Sequence, residues 1–223
     1  MDGLFIQQLI TGDGEQRFQY FAWVLVVIVG TVLHELAHGW MAIRLGDPTP
    51  RVQGRMVGNP LVHMGPVSLV CLFFTGMAWG LMPIDPTRLR GKYAEAKVAF
   101  AGPAVNLGLA ILAILAAGLW LRFGGFPEGE VALRGFHLLT IAAEAELVFF
   151  VFNMMPVPPL DGSHILANFS KGYAELLHKV YGSGAAIFLF LIAFMLAKFL
   201  WDPIADVVTV ALEAVSGMGL VRE

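Results

Sequence analysis

Apolar blocks separated by short polar stretches set the hydropathy pattern of this chain, and several approach the roughly 20 residues a helix needs to cross about 30 Å of hydrocarbon. Residues 18–43, 98–121, 136–152 and 185–201 are predicted to be such helices, because a chain in lipid must satisfy its backbone polar groups internally. Residues 203–215 are apolar but short, which fits a return helix or an interfacial one. Residues 61–82 are apolar enough to enter a bilayer, yet Pro60, Gly65, Pro66, Gly76, Gly80 and Pro83 punctuate them. That punctuation suits a re-entrant hairpin better than one clean helix. The stretch Arg51-Val52-Gln53-Gly54-Arg55-Met56-Val57 carries β-prone residues and a glycine, and is read as an exposed edge able to pair with an extended peptide. The expected fold class is an all-α polytopic membrane protein with about five to six transmembrane or re-entrant segments and one short β-prone stretch.

Composition points the same way. Of 223 residues, 57% are hydrophobic and 14% charged, and mean hydropathy is +0.73, against roughly 45–50% and 25% in soluble domains. Too little polar surface remains to solvate a soluble globule. A net charge of −3 with no Lys/Arg stripe disfavours nucleic acid as a partner. The lone Cys71 permits no internal disulfide, and no signal-peptide pattern precedes the first apolar block, which is expected to be retained.

Charge in the short loops orients the spans. Arg44, Arg51 and Arg55 outweigh Asp47 in the first loop, and Arg88, Arg90, Lys92 and Lys97 outweigh Asp85 and Glu95 in residues 83–97. The N-terminal tail is acidic, and the loop over residues 122–134 is balanced. Cytoplasmic loops collect Lys and Arg, so both basic loops are placed inside, with residues 61–82 dipping in and returning between them. The N-terminus is then outside, and the segment around Lys171 and Lys179 is inside.

Within the first predicted span the chain reads Thr31-Val32-Leu33-His34-Glu35-Leu36-Ala37-His38-Gly39-Trp40. One helical turn separates His34 from His38, so two imidazoles share a face and can grip one Zn²⁺, with Glu35 beside the water the metal would activate. Two His and a Glu inside a bilayer are costly unless they pair, coordinate or face water. His34 lies roughly 24 Å along a helix begun at Phe18, which places the metal inside the membrane and nearer its cytoplasmic face. Catalytic zinc takes a third protein ligand. The best candidate is Asp161, in Asn153-Met154-Met155-Pro156-Val157-Pro158-Pro159-Leu160-Asp161-Gly162, where three prolines unwind the end of the third span. The bland alternatives are a polar helix seam for the histidines and a surface turn for Asp161.

Leu33-His34-Glu35-Leu36-Ala37-His38, taken with residues 153–162, resembles the site-2 protease family of intramembrane zinc metalloproteases. The likeness extends to Asn59-Pro60-Leu61-Val62-His63 and to Ala101-Gly102-Pro103-Ala104-Val105-Asn106, runs over residues 20–170, and is strongest to compact bacterial members. It implies one Zn²⁺ held by His34, His38 and Asp161, with Glu35 as catalytic base. The implied reaction is hydrolysis of a peptide bond within or near a transmembrane helix of a membrane-protein substrate. The implied location is the bacterial inner membrane. Asn106 and Asn153 match polar positions near the active site and are candidate auxiliary donors to the oxyanion. Residues 1–223 are expected to form a single membrane-embedded domain, into which neither a PDZ nor a CBS domain fits.

Two departures from the family pattern stand out. Ser163-His164 follows Gly162 where Gly-Arg is common, and Met64-Gly65 stands where Ile-Asp is often found. His164 is read first as a helix-face residue, ahead of a donor behind the ligands or a substitute ligand. His63 is a candidate for a role near the site, with a loop contact as its alternative. Glu146 and Asn153 are seven residues apart and share a helix face, while Glu144 also interrupts the third span. A non-proteolytic zinc-binding chaperone would need the ligands but not Glu35. An ion or proton transporter would use Glu144, Glu146 and the histidines, but no inverted repeat accompanies them.

Overall fold

Asp13 opens the first long helix with a capping box: its carboxylate accepts from Gln16 N–H at 2.8 Å and Gln16 returns the bond to Asp13 N–H at 3.1 Å. In the computed structural model, which describes residues 5–219, a one-turn helix α1 (Gln7–Ile10) precedes this helix, α2 (Gly14–Arg44). There follow α3 (Thr49–Val52), α4 (Pro60–Thr75), α5 (Ala94–Gly124), α6 (Glu130–Asn153), α7 (Asp161–Phe169), α8 (Lys171–Ser183), α9 (Ala185–Ala197) and α10 (Trp201–Ser216). No strand occurs among the described residues. Among the described residues, four helical stretches are long and apolar enough to cross a membrane: Gly14–Arg44, Ala94–Gly124, Glu130–Asn153 and Ala185–Ser216.

The long helices alternate in direction. His38 of α2 meets Val98 of α5, so the end of α2 lies beside the start of α5. At the opposite end, Glu15 of α2 meets His137 of α6, and Arg122 of α5 donates to the Val215 carbonyl of α10. Small residues make close packing possible: Ala113 and Ala117 of α5 and Ala143 of α6 form one buried cluster with Ile204, Val208 and Leu212 of α10. The short apolar stretch over residues 203–215, expected as a return or interfacial helix, is a helix packed into this cluster. Pro203 falls in the first turn of α10, where its missing N–H breaks no intrahelical bond, and a 3₁₀ turn over Lys198–Leu200 joins α9 to it.

Residues 60–85 trace a hairpin. Gly65 takes φ 68°, a conformation L side chains resist, and splits α4 just before Pro66. The far end of α4 is tied to α2 by Tyr20 Oη donating to the Phe73 carbonyl and Trp23 Nε1 donating to the Gly76 carbonyl, both at 2.8 Å. The chain then returns extended: Trp79 N–H donates to Ser68 Oγ, which donates back to the Trp79 carbonyl, and Leu81 N–H donates to the His63 carbonyl. Both flanks finish at the C-terminal end of α2, where Arg90 N–H meets the Leu45 carbonyl and fully buried Asp47 accepts from Thr49 N–H and Asp85 N–H. Burial alone would raise the Asp47 carboxyl, but the hydrogen bonds from Thr49 and Asp85 prevail and hold it below its ordinary value.

The β-prone stretch over residues 51–57 is not a strand. Pro48 and Pro50 start the single turn of α3, Gly54 takes φ 66°, and Arg55 N–H folds back onto the Pro50 carbonyl. Proline at a helix start and a left-handed glycine override the β preference of Val52 and Val57.

Candidate active site

On α2 the His34 and His38 rings lie 4.6 Å apart, centroid to centroid, with their Nε2 atoms separated by 2.9 Å. Asp161 reaches them from the first residue of α7: Oδ2 is 3.2 Å from His34 Nε2 and Oδ1 is 3.4 Å from His38 Nε2. Gly162 makes this approach possible. A Cβ there would run into the backbone of Met154 and Met155, so only glycine lets α7 begin tucked beneath the end of α6.

The remaining ring nitrogens explain what the cluster is for. His38 Nδ1 donates to the Val98 carbonyl at 2.7 Å and His34 Nδ1 to Asn106 Oδ1 at 2.6 Å. Each Nδ1 therefore carries a proton, which in the neutral ring leaves Nε2 with a lone pair. Two lone pairs and a carboxylate facing one another at these distances repel unless a cation lies among them. All three donor groups fall within 4.8 Å of one another and are buried or nearly so. Nitrogen and carboxylate donors in this number suit Zn²⁺ with one position left open. Gly102 of α5 completes the cradle, because a Cβ on it would collide with both Nε2 atoms.

Glu35 is buried on the same helix, and its carboxylate lies against Gly80 of the returning extended segment, where a Cβ would strike it. Its ionisable neighbours are His38, His34, Asp161 and His63. Of the other predicted site residues, Asn106 and Glu146 lie behind the ligands: Asn106 Nδ2 donates to Glu146 Oε2 at 2.6 Å. The amide oxygen and one amide N–H of Asn106 are thus taken up within this network. Asn153 is turned back on its own helix, donating to the Phe149 carbonyl at 3.0 Å. His63 Nε2 donates to the Val57 carbonyl at 2.7 Å and pins the base of the hairpin. His164 is exposed and stacks on Tyr181, away from the ligand cluster. Sequence reasoning passed over the contacts of Gly30, Gly80 and Gly102. Glycines inside apolar helices and hairpins carry no chemical signal of their own, although Gly102 lies in the quoted Ala101-Gly102-Pro103 run.

A His34, His38 and Asp161 group able to hold a metal ion, with Glu35 beside it and both histidines on a helix long enough to cross a membrane, fits the class of membrane metallohydrolases. The chain is 31% identical over 187 residues to the Bacillus subtilis protein named "Putative zinc metalloprotease YwhC", covering 82% of this chain and 85% of that one. It is 28% identical over 165 residues to "Putative zinc metalloprotease Rip2" of Mycolicibacterium smegmatis and 29% identical over 164 to the Mycobacterium tuberculosis H37Rv protein of that name, covering 69% of this chain and 60% of each. No family model and no solved structure matches. The chain belongs to the site-2 protease family of zinc metalloproteases. Its cofactor is zinc, and its substrate is a protein.

Proposed function

We propose that this protein is an intramembrane endopeptidase that cuts a peptide bond within or near a transmembrane helix of another membrane protein. The observation that carries the reading is the convergence of the His34, His38 and Asp161 donor atoms, among membrane-length helices and with the Glu35 carboxylate beside them. Zinc held by these residues supplies Lewis-acid chemistry, making water acidic near neutral pH and polarising a peptide carbonyl. Glu35 takes the proton of the attacking water and returns it to the leaving amine. Asn106 and the Val98 carbonyl fix the orientation of the His34 and His38 rings through their Nδ1 atoms.

A substrate helix keeps its carbonyls bonded internally and must unwind before any can be attacked. The extended residues 77–83, rather than residues 51–57, offer it a partner. Trp79 and Leu81 direct backbone groups toward α4, and extended geometry turns those of Ala78, Gly80 and Met82 to the opposite edge. Gly80 brings this edge against Glu35. Strand addition there presents the unwound peptide to the catalytic glutamate.

Both basic loops converge on the end of α2 near His38, which supports placing that end on the cytoplasmic side of a bacterial inner membrane. Glu146 belongs to the ligand network rather than to a separate ion path, which disfavours transport. The decisive experiment is Glu35→Gln in purified protein, assayed on a single-span substrate with zinc content measured. Full zinc with cleavage lowered by at least about a hundredfold is expected; unchanged cleavage would sink the mechanism.

A further inference from the structure

Glu146 lies in the body of α6 at 3% exposure, where lipid makes a carboxylate costly, yet it is not among the residues that can hold the metal. Space has been kept for it. Gly30, one turn before His34 on α2, faces the carboxylate, and a Cβ at that position would collide with Glu146 Oε1. Glu146 Oε2 accepts from Asn106 Nδ2 at 2.6 Å, and Asn106, 1% exposed, accepts from His34 Nδ1 at 2.6 Å. Three helices thus converge on a carboxylate, amide and imidazole in series.

An amide between two partners has two orientations of nearly the same shape. With its oxygen toward His34, Nδ1 carries the proton and Nε2 is free for a metal. With its NH₂ toward His34, Nδ1 becomes the acceptor, the proton moves to Nε2 and the ligand is lost. Nothing in the amide itself chooses between them. A carboxylate on the far side does, because its oxygen accepts and so draws the NH₂ toward itself. His38 needs no such device: its Nδ1 meets the Val98 backbone carbonyl, which cannot exchange donor for acceptor.

We propose that Glu146 is a positioning residue that acts through Asn106 to hold His34 in the tautomer whose Nε2 can bind metal. The proposal rests on His34 being a zinc ligand and is independent of whether the enzyme cleaves within the membrane. It is tested by zinc affinity in the purified full chain, measured by competition with a chelator, with thermal unfolding followed alongside. Glu146→Gln lets the amide at 106 face either way and should weaken zinc binding roughly 10–100-fold. Asn106→Asp sets two carboxylates against each other and should weaken it comparably.

The double variant Asn106→Asp, Glu146→Gln reverses donor and acceptor between these two residues while keeping an acceptor toward His34. It should recover most of the lost affinity. Nitrogen NMR of the His34 ring should show Nδ1 protonated in the parent and the double variant, and proton density shifted toward Nε2 in Glu146→Gln. Parental affinity in either single variant would overturn the proposal. So would a double variant as weak as the singles, which would make Glu146 a cavity-filling polar residue only. A Glu35→Gln variant that still cleaves would defeat the proposed mechanism while leaving these affinities unchanged, so the two failures are separable.

Discussion

His34 and His38 present lone pairs to the same point because something else holds the opposite nitrogen of each ring, and that something is backbone in one case and side chain in the other. The helical spacing of the two histidines was legible from the sequence, as was the glutamate between them. What held the rings was not, since Val98 contributes only its carbonyl and Asn106 is 72 residues away from His34. Gly102 shows the same limit. Its Cβ would sit on both Nε2 atoms, whereas a Cβ on Gly108, six residues along the same helix, would meet nothing within 4 Å. Gly102→Ala should therefore weaken zinc binding by at least about tenfold, the scale of a displaced ligand environment. Gly108→Ala should leave affinity unchanged and stabilise α5 by about 0.5–1 kcal/mol through helix propensity alone. Chelator competition and thermal unfolding of both variants check the contrast; equal zinc affinity in the two would refute the cradle assigned to Gly102.

Among elements, the hairpin divides what sequence can and cannot announce. Prolines and glycines marked residues 61–82 as broken, and the structure breaks them at Gly65 and Gly76. Extended backbone, by contrast, was expected over residues 51–57 and lies over residues 77–83 instead. Met77-Ala78-Trp79-Gly80-Leu81-Met82 lacks a β-branched residue, and its partners are the Ser68 hydroxyl and the His63 carbonyl rather than another strand. Propensity is silent where a helix's side chains hold the chain straight. If the open edge of this segment pairs with substrate, removing one of its donors should matter. Ala78→Pro deletes an N–H on that edge, and Ala78→Val keeps it. The proline variant should raise KM several-fold, consistent with about 1 kcal/mol for one hydrogen bond, with zinc content unchanged and the valine variant close to parent. Equal KM in the proline and valine variants would argue that substrate pairs elsewhere.

At the scale of the whole molecule, one end of the bundle gathers the charges that orient it. Loops 44–59 and 84–93 lie on either side of the hairpin in the chain, yet Asp47 and Leu45 bind Asp85 and Arg90 directly. A segment that crossed fully would send these loops to opposite faces, so their contact supports the re-entrant reading. The far end is set by different contacts, Glu15 with His137 and Arg122 with Val215. Cys71 is the single cysteine, so a Cys71→Ser background allows one reporter at a time. Arg51→Cys, Lys92→Cys and Glu128→Cys each sit at an exposed position, the first two at the basic end and the third in the turn between α5 and α6. In intact cells a membrane-impermeant maleimide should label Glu128→Cys and spare the other two, which should react only after the membrane is opened. Labelling of Arg51→Cys and Lys92→Cys from opposite sides would turn the hairpin into a span. Labelling of both from outside would keep the hairpin and invert the protein, moving Glu35 toward the other face of the membrane.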